Sequence, residues 1–417
     1  MNLIKFTRLM IEIYKKNSLP NLDLIESYGL LAVKIAQHYA LRVDFLPEEN
    51  CRELSKLFRN NKKSKESSEI KTLIESYKDP YFLSIFEEFD TKPFATASIG
   101  QAHYAKLKNN EKVVVKVIKD DFKDDFLKDI NKLKSIFDPI LFLYPKLKKV
   151  FNPLEVLNEI ERYTVEELNL LHEIYGQRDL EFFYEKYNER YDLPPTRFHK
   201  IYSELSSDKI LISEKIEGYT FDELLNKNTL DFNVILDFFK LHAFYVFTIG
   251  RFHSDIHPGN VLFGEDKNIY MVDTGALSKI SFQMRIGLLH FFAYLGKYDY
   301  LSCAKALQEM SLKELDKNTF EDFSKAVVNL YADFKGKSVG ELSLTKKMMD
   351  TVKLAVNYGM EFDKNMFSVI KSFMYLDGMV LRCKPDEVLI ETINKVFSES
   401  MIEFENHCYY KEELILK

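Results

Sequence analysis

The sequence predicts an α+β protein with a helical N-terminal extension, a small β-containing lobe and a larger helical lobe. Three observations carry that expectation. Apolar residues recur at helical spacing through the first ninety residues, as at Leu24, Tyr28, Leu31, Ile35 and Tyr39. The pattern changes at Pro93: residues 98–107 and 112–118 read as two strands around the polar turn Lys108-Asn-Asn-Glu111, and the second (Lys112-Val-Val-Val-Lys-Val-Ile118) is β-branched nearly throughout. Helical periodicity returns from Asp124 to about Tyr187. It resumes from Phe221, after the apolar strand Ile210-Leu-Ile212, and is broken by one non-helical stretch, 252–277. The expected segments are 1–90 for the extension, 91–217 for the small lobe and 218–417 for the helical lobe.

Within the extension, Leu46-Pro-Glu-Glu49 resembles a helix start and Asn60–Ser68 an exposed polar loop. The helix at the N-terminus sets Ile4, Met10, Ile13 and Tyr14 against Lys5, Arg8, Lys15 and Lys16. It lacks the uncharged core and small-residue cleavage site of a signal peptide. Packing of this helix on its own protein is the plain expectation, and contact with a membrane surface is the sharper one.

Hydrophobic residues make up 46% of the 417, enough for a packed core without a disorder signature. A formal charge of −6 gives no net attraction to nucleic acid. Cys51, Cys303, Cys383 and Cys408 lie far apart, which favours free thiols in a reducing compartment over a metal site or disulfides. No stretch reaches the roughly 18 consecutive apolar residues of a spanning helix. The best candidates, Phe238–Phe252 and Ile286–Leu295, carry Lys240, His242, Arg251 and His290 and read as buried core helices. The expected location is the cytoplasm, with any membrane contact peripheral.

The most informative segment is Phe252-His-Ser-Asp-Ile-His-Pro-Gly-Asn-Val-Leu-Phe263, followed by Asp273-Thr-Gly275. Asp255 and Asn260 stand five positions apart, the interval at which kinase folds place a catalytic-loop Asp and a Mg²⁺-binding Asn. The reason is electrostatic. Mg²⁺ must bridge the oxygens of a charged triphosphate and takes hard oxygen ligands at about 2.1 Å. Asn260 and Asp273 offer such ligands, leaving Asp255 to orient or deprotonate an acceptor hydroxyl or water. His253 and His257 read as structural, because Pro258 argues against the regular helix that a pair four apart would need to bind a metal. Upstream, Lys116 sits on a strand from which an ammonium can reach the α- and β-phosphates if a carboxylate holds it, and Glu167 and Glu173 are the candidates. The backbone from Glu214 to Ile216 would serve an adenine ring. Where a kinase carries a glycine-rich loop, this chain has Pro93-Phe-Ala95-Thr96-Ala97-Ser98-Ile-Gly100-Gln101, whose amides would face phosphate although alanines restrict φ.

That alanine-rich loop, the Val-Val-Lys116 strand, the Glu167-Leu-Asn169…Glu173 helix, His253-x-Asp255-x-His-Pro-Gly-Asn260 and Asp273-x-Gly275, in this order, resemble the UbiB family of atypical kinases. Lys34-Ile-Ala-Gln37 and Arg42-x-Asp44-x-x-Pro47 are similar to that family's KxGQ helix and its continuation. The similarity runs from about Leu24 to about Met310. It implies a two-lobed protein-kinase-like fold, ATP and Mg²⁺ as cofactors, and Lys34 and Gln37 at the active site in place of a peptide substrate. It also implies ATPase or lipid-directed kinase activity in ubiquinone or related prenyl-lipid metabolism, with a prenyl lipid or quinone precursor as partner. Three positions depart from the pattern: Ala36 replaces the KxGQ glycine, Asn169 an aspartate and Thr274 the DFG phenylalanine. The family's frequent terminal transmembrane helices are replaced by an amphipathic pattern, Ile390–Phe404, and a charged tail at Lys411-Glu-Glu413. Two other readings stand beside this one: a small-molecule phosphotransferase of the aminoglycoside or choline kinase type, whose loops also read HxDxxxxN, and a nucleotide-binding scaffold with little turnover.

Overall fold

The structure, a computed structural model, describes residues 1–15, 18–40, 46–58, 67–96, 99–119, 122–143, 153–363, 365–395 and 404. Its contacts divide the chain into two compact units, one of residues 1–174 and 199–215, the other of residues 175–198 and 216–417.

In the first unit the N-terminal periodicity resolves into α1 (Leu3–Ile13), α2 (Leu22–Ser27), α3 (Leu30–Ala40), α4 (Glu48–Ser55) and α5 (Ser67–Tyr77). The side chains of Asn2 and Asn21 cap α1 and α2 by accepting the N–H groups of Lys5 and Leu24. Gly29, at φ +95°, supplies the left-handed turn between α2 and α3. Pro47 stands at the start of α4, as the sequence suggests. Helix α3 is buried almost all round: Leu31, Ile35 and Ala36 join Leu9, Ile13 and Ile25 in one core with Ile130 and Leu133 of α6 (Phe122–Leu143) and Leu157 of α7 (Pro153–Glu167). Ile13 packs inward as expected, but Ile4 is 65% and Tyr14 41% exposed, so α1 does not bury its whole apolar set. Ser67 and Ser68 belong to α5 rather than to a loop, while residues 60–66 of that expected loop lie outside the described residues.

The sheet of this unit has the order β1-β3-β4-β5, with β2 also on β3, and every pairing is antiparallel. The expected hairpin is β3 (Gly100–Leu107) and β4 (Lys112–Ile118), and Asn110 takes the left-handed turn position at φ 71°. The third expected strand is β5 (Ile210–Glu214). Sequence reading missed β1 (Phe86–Phe89) and β2 (Ala95–Thr96), which are short and do not alternate. Alternation along β4 does the positioning. Val113, Val115 and Val117 bury against Ile70, Ile74 and Phe82, so Val114, Lys116 and Ile118 take the other face.

The helical stretch expected from Asp124 to Tyr187 is interrupted; after α7 it restarts as α8 (Leu171–Tyr187). Asn169 Oδ1 accepts the Leu171 N–H at 3.0 Å, giving α8 its cap.

The second unit is mainly helical. A capping box of Thr220 and Glu223 opens α9 (Phe221–Asn226). Then α10 (Phe232–Ala243) runs on into a π-helical segment, Phe244–Ile249, which Gly250 ends at φ 72°. Phe252 is therefore not on that helix, as the sequence reading had it, but on strand β7 (Arg251–His253). The continuous stretch Phe232–Ile249 is long and apolar enough to cross a bilayer, though 56% of it is buried within the fold. Strand β6 (Gly218–Thr220) pairs with β8 (Val261–Gly264), which pairs with β9 (Ile269–Met271), and β7 pairs with β10 (Leu277–Lys279). Five further helices follow: α11 (Phe282–Gly296), α12 (Tyr300–Met310), α13 (Lys317–Leu330), α14 (Leu344–Asn357) and α15 (Met366–Cys383). Residues 389–395 are helical, and the rest of the expected terminal helix, apart from Phe404, lies outside the described residues with the charged tail.

Candidate active site

In the first unit Lys116 lies between Ala102 of β3 and Leu211 of β5. Small Ala102 leaves room for the lysine stem, and the ammonium pairs with the Glu173 carboxylate in the first turn of α8. Glu173 is 7% exposed, so the pair is shielded on the glutamate side and open on the lysine side. Glu167 does not pair with Lys116. It pairs instead with Lys34, whose own side chain is nine-tenths buried on α3. The two candidate glutamates thus divide between two lysines.

Gln37 donates its amide N–H to the Leu57 carbonyl at 2.9 Å, tying α3 to the short 3-10 turn Lys56–Phe58. Ala36 is fully buried in the helical core, where its methyl packs and a glycine would weaken the helix. Ala95 and Thr96 form β2 opposite Ala102 and Gln101, while Ala97 and Ser98 lie outside the described residues, as do Arg42 and Asp44. Gln101 and His103 bond each other at 2.9 Å, and His103 Nδ1 meets the Asp90 carbonyl at 2.8 Å. Both side chains are buried, and His103 ties β3 to Asp90, the residue after β1. The Glu214 N–H goes to the Lys200 carbonyl at 2.8 Å, so it is engaged within the unit. Ile216 begins the second stretch of the second unit.

In the second unit the His253–Asn260 loop is tied down by its own side chains. His253 is buried, which pushes its imidazole below the usual range and keeps it neutral. Its Nε2 meets the Val272 carbonyl at 3.1 Å and its Nδ1 accepts the Asp255 N–H at 3.3 Å. His257 Nδ1 accepts the Gly259 N–H at 3.0 Å. Both histidines are thus loop-fixing, as expected. Asn260 donates its amide N–H to the Asp255 carbonyl at 3.0 Å, so the amide oxygen is the end it can turn to a cation. Burial works against ionisation of Asp255, but the Lys371 ammonium beside it holds its carboxyl well below the usual carboxylate range.

Asp273 is exposed and sits at φ 57°, a left-handed conformation that non-glycine residues rarely adopt. Strain of that kind, about 1–3 kcal/mol, persists where surrounding structure enforces it and clusters at functional sites. The buried Thr274 follows, and Gly176 of α8 packs so closely on the Thr274 carbonyl that a Cβ there would overlap it. Gly176 went unnoticed in the sequence; a glycine three residues after Glu173, inside a helix, was its signal. Among the described residues no three His, Cys, Asp or Glu side chains cluster for a metal. The donor set suits a cation such as Mg²⁺, which keeps waters and phosphate oxygens and needs only one or two protein ligands.

Sequence reasoning also missed the partners of Asp255. Lys371 Nζ lies 2.7 Å from its Oδ1, and the Tyr375 hydroxyl donates to the same oxygen at 3.1 Å. Both come from α15, in a region that carries no recognisable motif.

This fold is that of a kinase-like protein. A profile of the ABC1 atypical kinase-like domain matches residues 58–307. A "Probable protein kinase UbiB" from Tolumonas auensis is 26% identical over 376 residues, covering 88% of this chain and 67% of that protein. An "Uncharacterized protein in hydrogenase 1 5'region" from Clostridium pasteurianum is 25% identical over 377 residues, covering 88% and 68%. The solved Rv3197–erythromycin complex from Mycobacterium tuberculosis aligns at 17% identity and a TM-score of 0.49, over 88% of this chain and 90% of that one. The chain belongs to the ABC1, or UbiB-type, family of atypical kinases.

Proposed function

We propose that this chain binds ATP with Mg²⁺ and turns it over as an ATPase or an atypical kinase with a non-protein acceptor. The observation that carries the reading is the Lys116–Glu173 pair. A strand lysine held by a helix glutamate is the device with which kinase folds grip the α- and β-phosphates. In the second unit, an ionised Asp255, an Asn260 whose amide N–H is bound to the loop and a strained, exposed Asp273 supply the acceptor-orienting and Mg²⁺-binding groups this chemistry requires. Backbone at Ala95–Ser98 is assigned to phosphate and Glu214–Ile216 to adenine. Lys34, paired to Glu167, and Gln37 are assigned to the helix that replaces a peptide-docking surface.

Similarity to a probable UbiB kinase supports a setting in ubiquinone or related prenyl-lipid biosynthesis. Peripheral contact with a membrane is supported by α1, where Leu3, Ile4 and Ile11 are exposed beside Lys5 and Arg8. The test is Mg²⁺-dependent ATP hydrolysis, measured alone and with prenyl-phenol lipids or soluble amino alcohols. Lipid-stimulated hydrolysis is expected. Transfer to an amino alcohol would move the assignment to small-molecule phosphotransferases, and binding without turnover would move it to a scaffold.

A further inference from the structure

We propose that Lys371 and Tyr375 are positioning residues that fix the Asp255 carboxylate in its working orientation, which makes α15 part of the catalytic apparatus. The inference rests on the reading of Asp255 as the residue that orients the acceptor. Both side chains reach the same oxygen, Oδ1, at 2.7 and 3.1 Å. They stand four residues apart and so share one face of α15. With two donors on Oδ1, the carboxylate cannot rotate without breaking a charge-assisted bond. Among the described residues Oδ2 meets the Asn260 amide alone, at 3.5 Å, and is the oxygen left to meet an acceptor.

The support under this arrangement is itself fixed. Ser372 Oγ bonds His242 Nε2 at 2.8 Å, joining α15 to α10, and Phe373 stacks on Phe247 and packs at a tilt against Phe292. The His257 ring stands edge-on to Tyr375 at 5.4 Å, so the helix braces the loop at a second point. The pair is partly shielded, with side-chain exposures of 18% for Lys371 and 28% for Asp255, so it is neither a solvated surface contact nor a fully buried one. Holding a reacting group to a fraction of an ångström is worth more in rate than in stability, because displacements near 1 Å cost orders of magnitude.

The experiment is steady-state Mg·ATP hydrolysis by the full chain and its variants. Lys371→Met should lower kcat about 30-fold while the KM for ATP stays within about two-fold, and Lys371→Arg should recover most of the loss. Tyr375→Phe should cost about three-fold in kcat, the scale of one hydroxyl hydrogen bond. Because Lys371 acts through Asp255, the double variant Lys371→Met/Asp255→Asn should be no slower than Asp255→Asn alone. A Lys371→Met enzyme with wild-type or raised kcat overturns the proposal, as does an additive double variant. Wild-type turnover by Asp255→Asn would instead sink the underlying reading of Asp255. If Lys371→Met does not fold, Tyr375→Phe decides by the same split, since it removes only a hydroxyl.

Discussion

Each unit holds a lysine–carboxylate pair at a residue singled out for chemistry, and the two pairs are built differently. In the first, Lys116 is the candidate chemical group and Glu173, 57 residues on, is its buried holder. In the second, the carboxylate Asp255 is the candidate group and its holders are Lys371 and Tyr375, the latter 120 residues away. Strand geometry presents Lys116: the alternation that buries Val115 and Val117 leaves it one face to occupy. Asp255 sits on a loop, where backbone geometry alone fixes no orientation, so a distant helix supplies it. On a strand the backbone sets the direction of the side chain; on a loop, side chains from elsewhere in the chain set it.

The comparison breaks most sharply at Asp255. Asp255→Asn keeps the shape and removes the charge, and kcat for ATP hydrolysis should fall by about 10²–10⁴. Next is Lys116→Met, which takes the ammonium away from Glu173 in a nearly buried site. Chemical denaturation should show a loss on the order of 2 kcal/mol, below the 3–5 kcal/mol of fully buried pairs because a quarter of Lys116 is exposed. ATP affinity should fall with it. If stability falls and ATP affinity does not, the pair is structural and the two units are less alike than argued.

Acid sharpens the contrast in another way. Burial pushes His199 of the first unit to about 4 and His242 of the second to about 3. Unfolded chains take up these protons near pH 6.5, and folded ones do not until the lower values. Stability is therefore complete above pH 6.5 and lost as pH falls toward 4, at about 1.4 kcal/mol per pH unit for each histidine. Denaturation midpoints at pH 7 and pH 5 check this, and His242→Phe should flatten the second unit's share. The smallest effect belongs to Asn169→Asp. Aspartate caps a helix as well as asparagine, so the melting temperature should move by less than about 2 °C, the equivalent of roughly 0.5 kcal/mol. A larger change would mean that the cap is not what Asn169 is for.

Much of this was legible in the sequence because it is local. The β-branched run of β4, the Lys108–Glu111 turn and the order of the Asp255, Asn260 and Asp273 motifs all announce themselves over a few residues. The structural use of His253 and His257 followed from Pro258. What could not be read is non-local or geometric. Nothing near Lys371 marks it as the partner of Asp255, and the choice between Glu167 and Glu173 depends on how α3, α7 and α8 pack. Strands β1 and β2 escaped because their stability comes from pairing with β3 and not from their own pattern. The left-handed backbone of Asp273 is a product of its surroundings, and the residue type only permits it.

We propose that this chain holds a metal-bound nucleotide with Asp273 as a ligand of the metal. Calorimetric titration of ATP into the wild-type chain and Asp273→Asn, each with and without Mg²⁺, tests it most directly. Wild-type affinity should rise at least about ten-fold on adding Mg²⁺, and the variant should lose that gain while keeping its metal-free affinity. Equal Mg²⁺ dependence in the two proteins would contradict the claim.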